Sequence, residues 1–499
     1  MSVRGRLGLA AGHGLTLGTL FDRLDEIHGD RILVDEAGGE RRTYREAADV
    51  VARWSGALDV EPGDRAVVAL PNGYDQLLAC AAVARAGAVP VPLNDKMSPG
   101  EVEHVVTDSG AALVLRTAAD LDDGDPIGPV AQPDVAAIFY SSGTTGRPKG
   151  ARLSSKALLG SLGPGALWPA GVRRDEAVVG LPIAHVMGFV VLVGLAVAGV
   201  PVHLFRAFDA TAALDAIERR RSTLFIGVPA MYRMLLEAGA EDRDLRSIRV
   251  WGSGADAMPP ELTRRFQRMG ASATLPVLGV SVGEALFVEG WGMVETGGAA
   301  MARVSLPYVN ALARPLPGYR IKVDDPDETG AGELLVKGPG VLEGYHGDAG
   351  ATAEALEGGW LHTGDLVRRD RFGAVTFVGR SKDVVKSGGY SVFAAEVERA
   401  LEEHPGVAQA AVVGLDDQRL GQVPVAAVRA RPGHTVTPDD VLAFAREHLA
   451  SYKVPRRVVI VDELPLGGTG KVQKDRVREW FTRPTKRGRT PAHGGQRAP

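Results

Sequence analysis

Residues 140–150 read YSSGTTGRPKG. The stretch follows an apolar run, DVAAIFY (134–140), that reads as a buried strand. It precedes LSSKALLG (153–160), which reads as a helix start. Four hydroxyl side chains (Ser141, Ser142, Thr144, Thr145), three glycines and Lys149 fall in one turn. Glycines let backbone N–H groups approach phosphate oxygens, while hydroxyls and a lysine add donors and charge. The loop is not of the Walker type, because Lys149 is followed by Gly150 rather than Ser or Thr. A phosphate-binding turn between regular elements implies an α/β chain, and the flanking sequence agrees.

Before residue 380, helix-like and strand-like patterns alternate. LGTLFDRLDEI reads as a helix and RILVDE as a strand, then YREAADVVARWSGAL and DRAVVAL, then QLLACAAVARAG and AVPVPL. Such alternation predicts βαβ units and mainly parallel sheets. From about residue 313, RPLPGYRIKVDD, GELLVKG and AVTFVGR form a β-rich patch. A compact α+β pattern of helices such as EVERALEEH and strands such as VPVAAVRA follows. The expected organisation is a large α/β domain over 1–380, a small mobile α+β domain over 381–482 and a basic, disordered tail over 483–499.

Composition narrows the class. A chain of 499 residues exceeds one ordinary core. Its 57 basic and 61 acidic residues leave a net charge of −4, with no nucleic-acid signature. The single cysteine, Cys80, rules out an internal disulfide and points to a reducing, cytoplasmic setting. The N-terminus has no convincing signal-peptide cleavage site. The apolar stretch 186–205 is long enough to span a bilayer but carries three glycines, a proline and a histidine. It is expected to be a buried helix followed by a short strand.

Taken with six further motifs, the loop resembles the phosphate loop of the adenylate-forming superfamily: acyl-CoA synthetases, adenylation domains and luciferases. LPIAHVMGF (181–189) is similar to the segment that carries a histidine, here His185, near the acyl pocket. WGSGADAMPP (251–260) resembles the nucleotide-side strand and turn, with Gly252, Ser253 and Gly254. GWGMVE (290–295), with Trp291, Gly292, Met293 and Val294, resembles the adenine- and metal-contacting motif. LHTGDLVRRD, GRSKDVVKSGGYSVFAAEVE and PLGGTGKVQK follow in the family's order. The resemblance covers about residues 15–475.

It implies a two-step chemistry using ATP (leaving as AMP), Mg²⁺ and coenzyme A. Ser141, Ser142, Gly143, Thr144, Thr145, Gly146 and Lys149 would hold the terminal phosphates. Glu295 would bind Mg²⁺, a hard oxygen ligand for a hard cation. Asp365 would take the ribose hydroxyls, with Arg380 beside it. Lys471 would bridge carboxylate and α-phosphate. The small domain would swivel about Lys382, and Gly388 and Gly389 would line the thiol channel. His185, where amino-acid-activating relatives carry an aspartate, argues against an α-amino acid. The expected substrate is an apolar carboxylic acid in a roomy pocket, which small residues such as Ala184 and Gly188 suit; Phe225, Ile226 and Met231 either line that pocket or pack the core.

Two residues depart from the family's pattern. Trp291 stands for a tyrosine that stacks on adenine, and Val294 for a threonine that reaches the α-phosphate. A lost hydrogen bond to a charged group costs roughly 1.5–3 kcal/mol. The principal reading is a complete carboxylic acid–CoA ligase. Alternatives are a relative with weakened adenylation whose acyl-adenylate a partner enzyme supplies, transfer to a carrier-protein thiol, and a non-catalytic nucleotide binder. If the departures weaken adenylation, Val294→Thr raises ATP-dependent pyrophosphate release about tenfold; unchanged release from a folded variant removes the weakened-adenylation reading.

Overall fold

The computed structural model describes residue 7 and residues 15–121, 124–141, 148–168, 174–274, 281–306, 313–328, 330–371, 373–388, 390–466 and 472–482. Two compact units emerge. One holds residues 1–363 and 368–376, the other 364–367 and 377–499. The chain crosses between them within the strands Leu361–Arg369 and Val375–Arg380.

The first unit is built on a nine-stranded sheet. Its centre is parallel: Leu286–Met293, Val250–Gly254, Leu224–Gly227, Ala177–Val179, Val202–Leu204 and Ile32–Glu36, in that spatial order. Antiparallel strands finish both edges. Three parallel strands, Arg65–Val68, Val89–Pro92 and Leu113–Leu115, form a smaller sheet. The alternating sequence pattern thus produces the expected βαβ layers. The helices are closed by local chemistry visible in the sequence. Thr43 and Glu46 form a reciprocal capping box on Tyr44–Ala57, as do Ser98 and Glu101 on Pro99–Ser109, which begins with proline and ends at Gly110 in the left-handed region.

The apolar stretch resolves as expected into a buried helix, Val186–Ala198, and the strand Val202–Leu204. Among the described residues, no helix is long and apolar enough to cross a membrane.

The starting ends of the central strands are held by an aromatic cluster. Trp251 and Phe287 on adjacent strands meet Tyr232 and Phe266 from the helices Pro229–Glu237 and Pro260–Met269, with Trp251–Phe266 ring centroids 4.9 Å apart and Tyr232–Phe287 5.4 Å. Phe225, completely buried, joins them 5.3 Å from Tyr232. It is therefore core, the second of the two readings its sequence leaves open. The reading of Gly188 is corrected: a Cβ there would come within 2.1 Å of the Pro182 carbonyl, so its small size serves backbone packing.

Beside the nine-stranded sheet, Val135–Tyr140 and Gly150–Ser154 pair antiparallel, with Gly344–Tyr345 on the outer edge. Here the structure differs from the sequence reading. The phosphate loop joins the two strands of a hairpin, and the helix Ser155–Leu159 begins only after the second strand. The five residues Gly150–Ser154 of extended chain separate Lys149 from the helix Ser155–Leu159 in sequence.

The second unit wraps a sheet of Tyr390–Phe393, Val384–Ser387, Gly421–Ala430 and Val407–Asp417, with Val458–Val461 added parallel to Gly421–Ala430. Helices Ala394–Glu402 and Pro438–His448 cover one face through Val397, Leu401, Val441 and Ala445. Helix Lys474–Thr482 covers the other through Val477 and Phe481.

At Gly292 the strand register shifts, and an added Cβ would lie 1.9 Å from the Gly298 carbonyl oxygen. Gly292→Ala therefore forces the hairpin apart, at a cost on the order of 2–4 kcal/mol. Chemical denaturation should show that loss; an unchanged unfolding midpoint would contradict this packing.

Candidate active site

Two groups of candidate residues, Gly252–Gly254 and Trp291–Glu295, lie at the carboxyl ends of parallel strands, where open α/β sheets place their ligand crevice, whereas the loop 141–149 joins an antiparallel hairpin. Gly252, Ser253 and Gly254 pair in register with Val288, Glu289 and Gly290. The Tyr232 hydroxyl donates to the Gly252 carbonyl at 2.7 Å. At Ala255 the chain turns through φ 67°, a left-handed conformation that ends the strand abruptly. Glu289 reaches the Met258 N–H beyond that turn; its burial raises its pKa, against the opposing effect of Arg303.

The neighbouring strand passes Trp291, Gly292 and Met293 and ends in a short 3₁₀ turn, Val294–Thr296. The turn is closed by side chain and backbone together. The Met293 N–H donates to Thr296 Oγ1 at 2.9 Å, and that hydroxyl reaches the Gly298 carbonyl at 2.6 Å. Gly297 sits at φ 59°, and a Cβ there would come within 2.6 Å of the Ala157 carbonyl. The turn buries Val294 and leaves Glu295 only 7% exposed, so Glu295 is not a surface loop acid.

Glu295 Oε1 accepts a hydrogen bond from the Tyr345 hydroxyl at 2.9 Å, and the Glu295 carbonyl accepts from Leu342 N–H at 2.9 Å. Burial first, then the Glu295 carboxylate, hold the Tyr345 phenol far above its usual range, so it stays protonated as a donor. Lys149 Nζ lies 5.3 Å from the centroid of the same ring and 3.9 Å from Asp348 Oδ2. The structure thus brings together Lys149 and Glu295, which lie far apart in sequence, through Tyr345. Tyr345 and Asp348 were missed in the sequence reading. The signal available was GYHGD (344–348), an aromatic residue and an acid beside a turn, but spacing alone does not link it to Glu295.

The stem of the phosphate loop is closed by Ser141 N–H donating to the Lys149 carbonyl at 3.0 Å. Ser142, Gly143, Thr144, Thr145 and Gly146 lie outside the described residues. His185 caps the helix Val186–Ala198, its Nδ1 accepting from Met187 N–H at 3.3 Å. Asn72 holds the preceding segment by accepting from Ile183 N–H at 2.9 Å.

In the second unit, Asp365 is buried within a strand, which excludes a helix-capping role, and pairs with Arg380 at 2.9 Å. Lys382 occupies the three-residue turn Ser381–Asp383, where burial lowers its pKa. Gly388 adopts φ 57°, and its N–H donates to the Leu420 carbonyl at 2.8 Å. Gly389 and Lys471 lie outside the described residues. Lys474, three residues after Lys471, is half-buried between Glu398 at 3.0 Å and Asp383 at 3.4 Å. Burial works against its charge, but these two carboxylates outweigh it and raise its pKa.

Residues 21–130 and 116–346 match the family model of the AMP-binding enzymes, and 396–471 match that of the AMP-binding enzyme C-terminal domain. The chain belongs to the AMP-binding enzyme family. Among curated relatives of this AMP-binding enzyme, a feruloyl-CoA synthase of Amycolatopsis is 35% identical over 481 residues, covering 89% of this chain and 95% of that one. A Mycobacterium tuberculosis ligase that forms the CoA derivative of a methyl-dioxo-octahydroindenyl propanoate is 33% identical, over 85% and 90%. Among solved structures, the o-succinylbenzoate CoA synthetase of Bacillus subtilis with its acyl-adenylate intermediate superposes with a TM-score of 0.78 at 26% identity, covering 92% of this chain and 98% of that one. The ATP-bound MatB of Rhodopseudomonas palustris gives 0.77 at 27% identity, over 93% and 99%.

Asp365 and Arg380 generate a direct prediction. Arg380→Ala removes the cation 2.9 Å from the buried Asp365 carboxylate, and ATP binding should weaken by roughly tenfold or more. Isothermal titration with ATP measures this; unchanged affinity would remove the pair from the nucleotide site.

Proposed function

We infer that this AMP-binding enzyme is a carboxylic acid–CoA ligase, an acid–thiol ligase that acts through an acyl-adenylate. In the first step a carboxylate oxygen attacks the α-phosphorus of ATP. The bond to the β-phosphate oxygen breaks, and pyrophosphate leaves. In the second step the sulfur of coenzyme A attacks the acyl carbon, the bond to the adenylate oxygen breaks, and AMP leaves as the thiol proton passes to solvent. The observation that carries the site assignment is the Glu295 carboxylate, buried at the strand ends and joined to Lys149 through one tyrosine ring.

Each site residue has a task in this reading. The loop from Ser141 to Lys149 holds the terminal phosphates. Trp291 stacks on adenine, and Gly252 to Gly254 leave the base room to lie against backbone. Asp365 and Arg380 take the ribose. Lys471 meets the α-phosphate as charge builds there, and fixed donors aimed at that charge lower the barrier. Gly388 and Gly389 let the pantetheine thiol pass close to backbone, with Lys382 as the hinge. Glu295 fits a magnesium ion. Its donor is a hard, buried oxygen, and among the described residues no group of three metal-ligating side chains competes for the ion. One carboxylate with phosphate oxygens completing the shell is how Mg²⁺ is usually held. Bound there, Mg²⁺ would neutralise charge on the phosphates.

The acid is apolar and cyclic, and not an α-amino acid. His185 offers no fixed carboxylate to an amine, and the relatives named for feruloyl, indenyl-propanoyl and indoleacetyl groups support a bulky ring. With one cysteine and so no internal disulfide to form, the chain suits a reducing cytoplasm. A panel assay tests the reading: pyrophosphate release and thioester formation with cinnamate-type and fused-ring acids should exceed those with acetate and phenylalanine at least tenfold. Thioester from no acid in the panel, or a preference for the amino acid, would overturn it.

A further inference from the structure

Tyr345 touches both charged groups of the first unit's site, and its place is fixed more firmly than a surface aromatic requires. The strand Gly344–Tyr345 pairs with Gly150–Ser154, setting Tyr345 opposite Ala151. Its N–H donates to Thr352 Oγ1 at 2.9 Å, and that hydroxyl donates to the Asp348 carbonyl at 2.7 Å. The next residue continues the clamp, His346 N–H donating to the Gly150 carbonyl at 2.7 Å. Gly150 directly follows Lys149, so the ring and the end of the phosphate loop share one backbone framework. Asp348 is divided between two tasks. Its Oδ1 caps the helix Ala349–Ala355 at Ala351 N–H, 2.8 Å away, while its Oδ2 faces Lys149.

The hydrogen bond to Glu295 has a consequence for metal binding. A carboxylate rotates freely unless one oxygen is held. The phenol holds Oε1 and leaves Oε2 for a cation. Groups that orient a metal ligand in this way commonly matter tenfold to a hundredfold in metal affinity.

We propose that Tyr345 is a positioning residue for the metal–nucleotide complex: its hydroxyl orients the Glu295 carboxylate toward Mg²⁺, and its ring seats Lys149 against the phosphates. The proposal rests on the assignment of Glu295 as the metal ligand made above. The two parts separate by variant, since Tyr345→Phe removes the hydroxyl and keeps the ring, whereas Tyr345→Ala removes both.

The experiment titrates Mn²⁺ into the full chain with α,β-methylene-ATP, by electron paramagnetic resonance, for wild type, Y345F, Y345A and E295Q. Y345F should weaken Mn²⁺ binding about tenfold, with a matching rise in the Mg²⁺ concentration needed for pyrophosphate release. Its melting temperature, and its transfer of a supplied acyl-adenylate to CoA, should match wild type. Y345A should add a several-fold rise in KM for ATP that Y345F lacks. Wild-type Mn²⁺ affinity in Y345F, beside a weakened E295Q, would overturn the proposal and leave the metal assignment standing. Wild-type affinity in E295Q would overturn both. Equal loss of both half-reactions in Y345F, with a lowered melting temperature, would mean that the tyrosine only packs.

Discussion

The close approach of two backbones, at Gly292 and Gly298, is the constraint from which the first unit's site follows. No side chain fits between them, because a Cβ on Gly292 would sit 1.9 Å from the Gly298 carbonyl oxygen. The hairpin can therefore tighten where its register slips, and the chain leaves the strand in a 3₁₀ turn instead of running on into solvent. Without that turn Glu295 would alternate along the strand like its neighbours. With it, the carboxylate is buried beside Tyr345.

Burial of a lone carboxylate is costly unless it is hydrogen-bonded or meets a cation. The fold supplies the first through Tyr345. Lys149 approaches the same ring from the phosphate-loop hairpin, so opposite charges are held near one another without a direct ion pair between them. A direct Lys149–Glu295 pair would neutralise both groups before ATP arrived. In the proposed function, the neutral Tyr345 ring and the weak 3.9 Å contact from Lys149 to Asp348 leave Lys149 for phosphate and Glu295 for metal.

Much of this was legible in the sequence, and what was not has a physical reason. The alternation of RILVDE, YREAADVVARWSGAL and DRAVVAL predicts βαβ layers because helix and strand periods differ, and capping pairs such as Thr43 with Glu46 mark helix starts locally. The buried helix at 186–198 was readable because its glycines and following proline bound it. The second strand of the loop's hairpin was not, since GARLS is only five residues long and runs straight into a helix start; its strand state comes from pairing with Val135–Tyr140. Phe225 and Gly188 look like pocket residues in sequence because apolar and small residues serve cores and pockets alike. Tyr345 escaped notice because its partner is fifty residues away, and only the fold makes them neighbours.

The central claim is that a carboxylate oxygen attacks the α-phosphorus and that AMP later leaves with that oxygen. Turnover of an acid labelled with ¹⁸O in its carboxylate, followed by mass spectrometry of the products, tests it most directly. One ¹⁸O atom in AMP and none in pyrophosphate is the predicted result. Unlabelled AMP, with the label found instead in phosphate or pyrophosphate, would contradict the account.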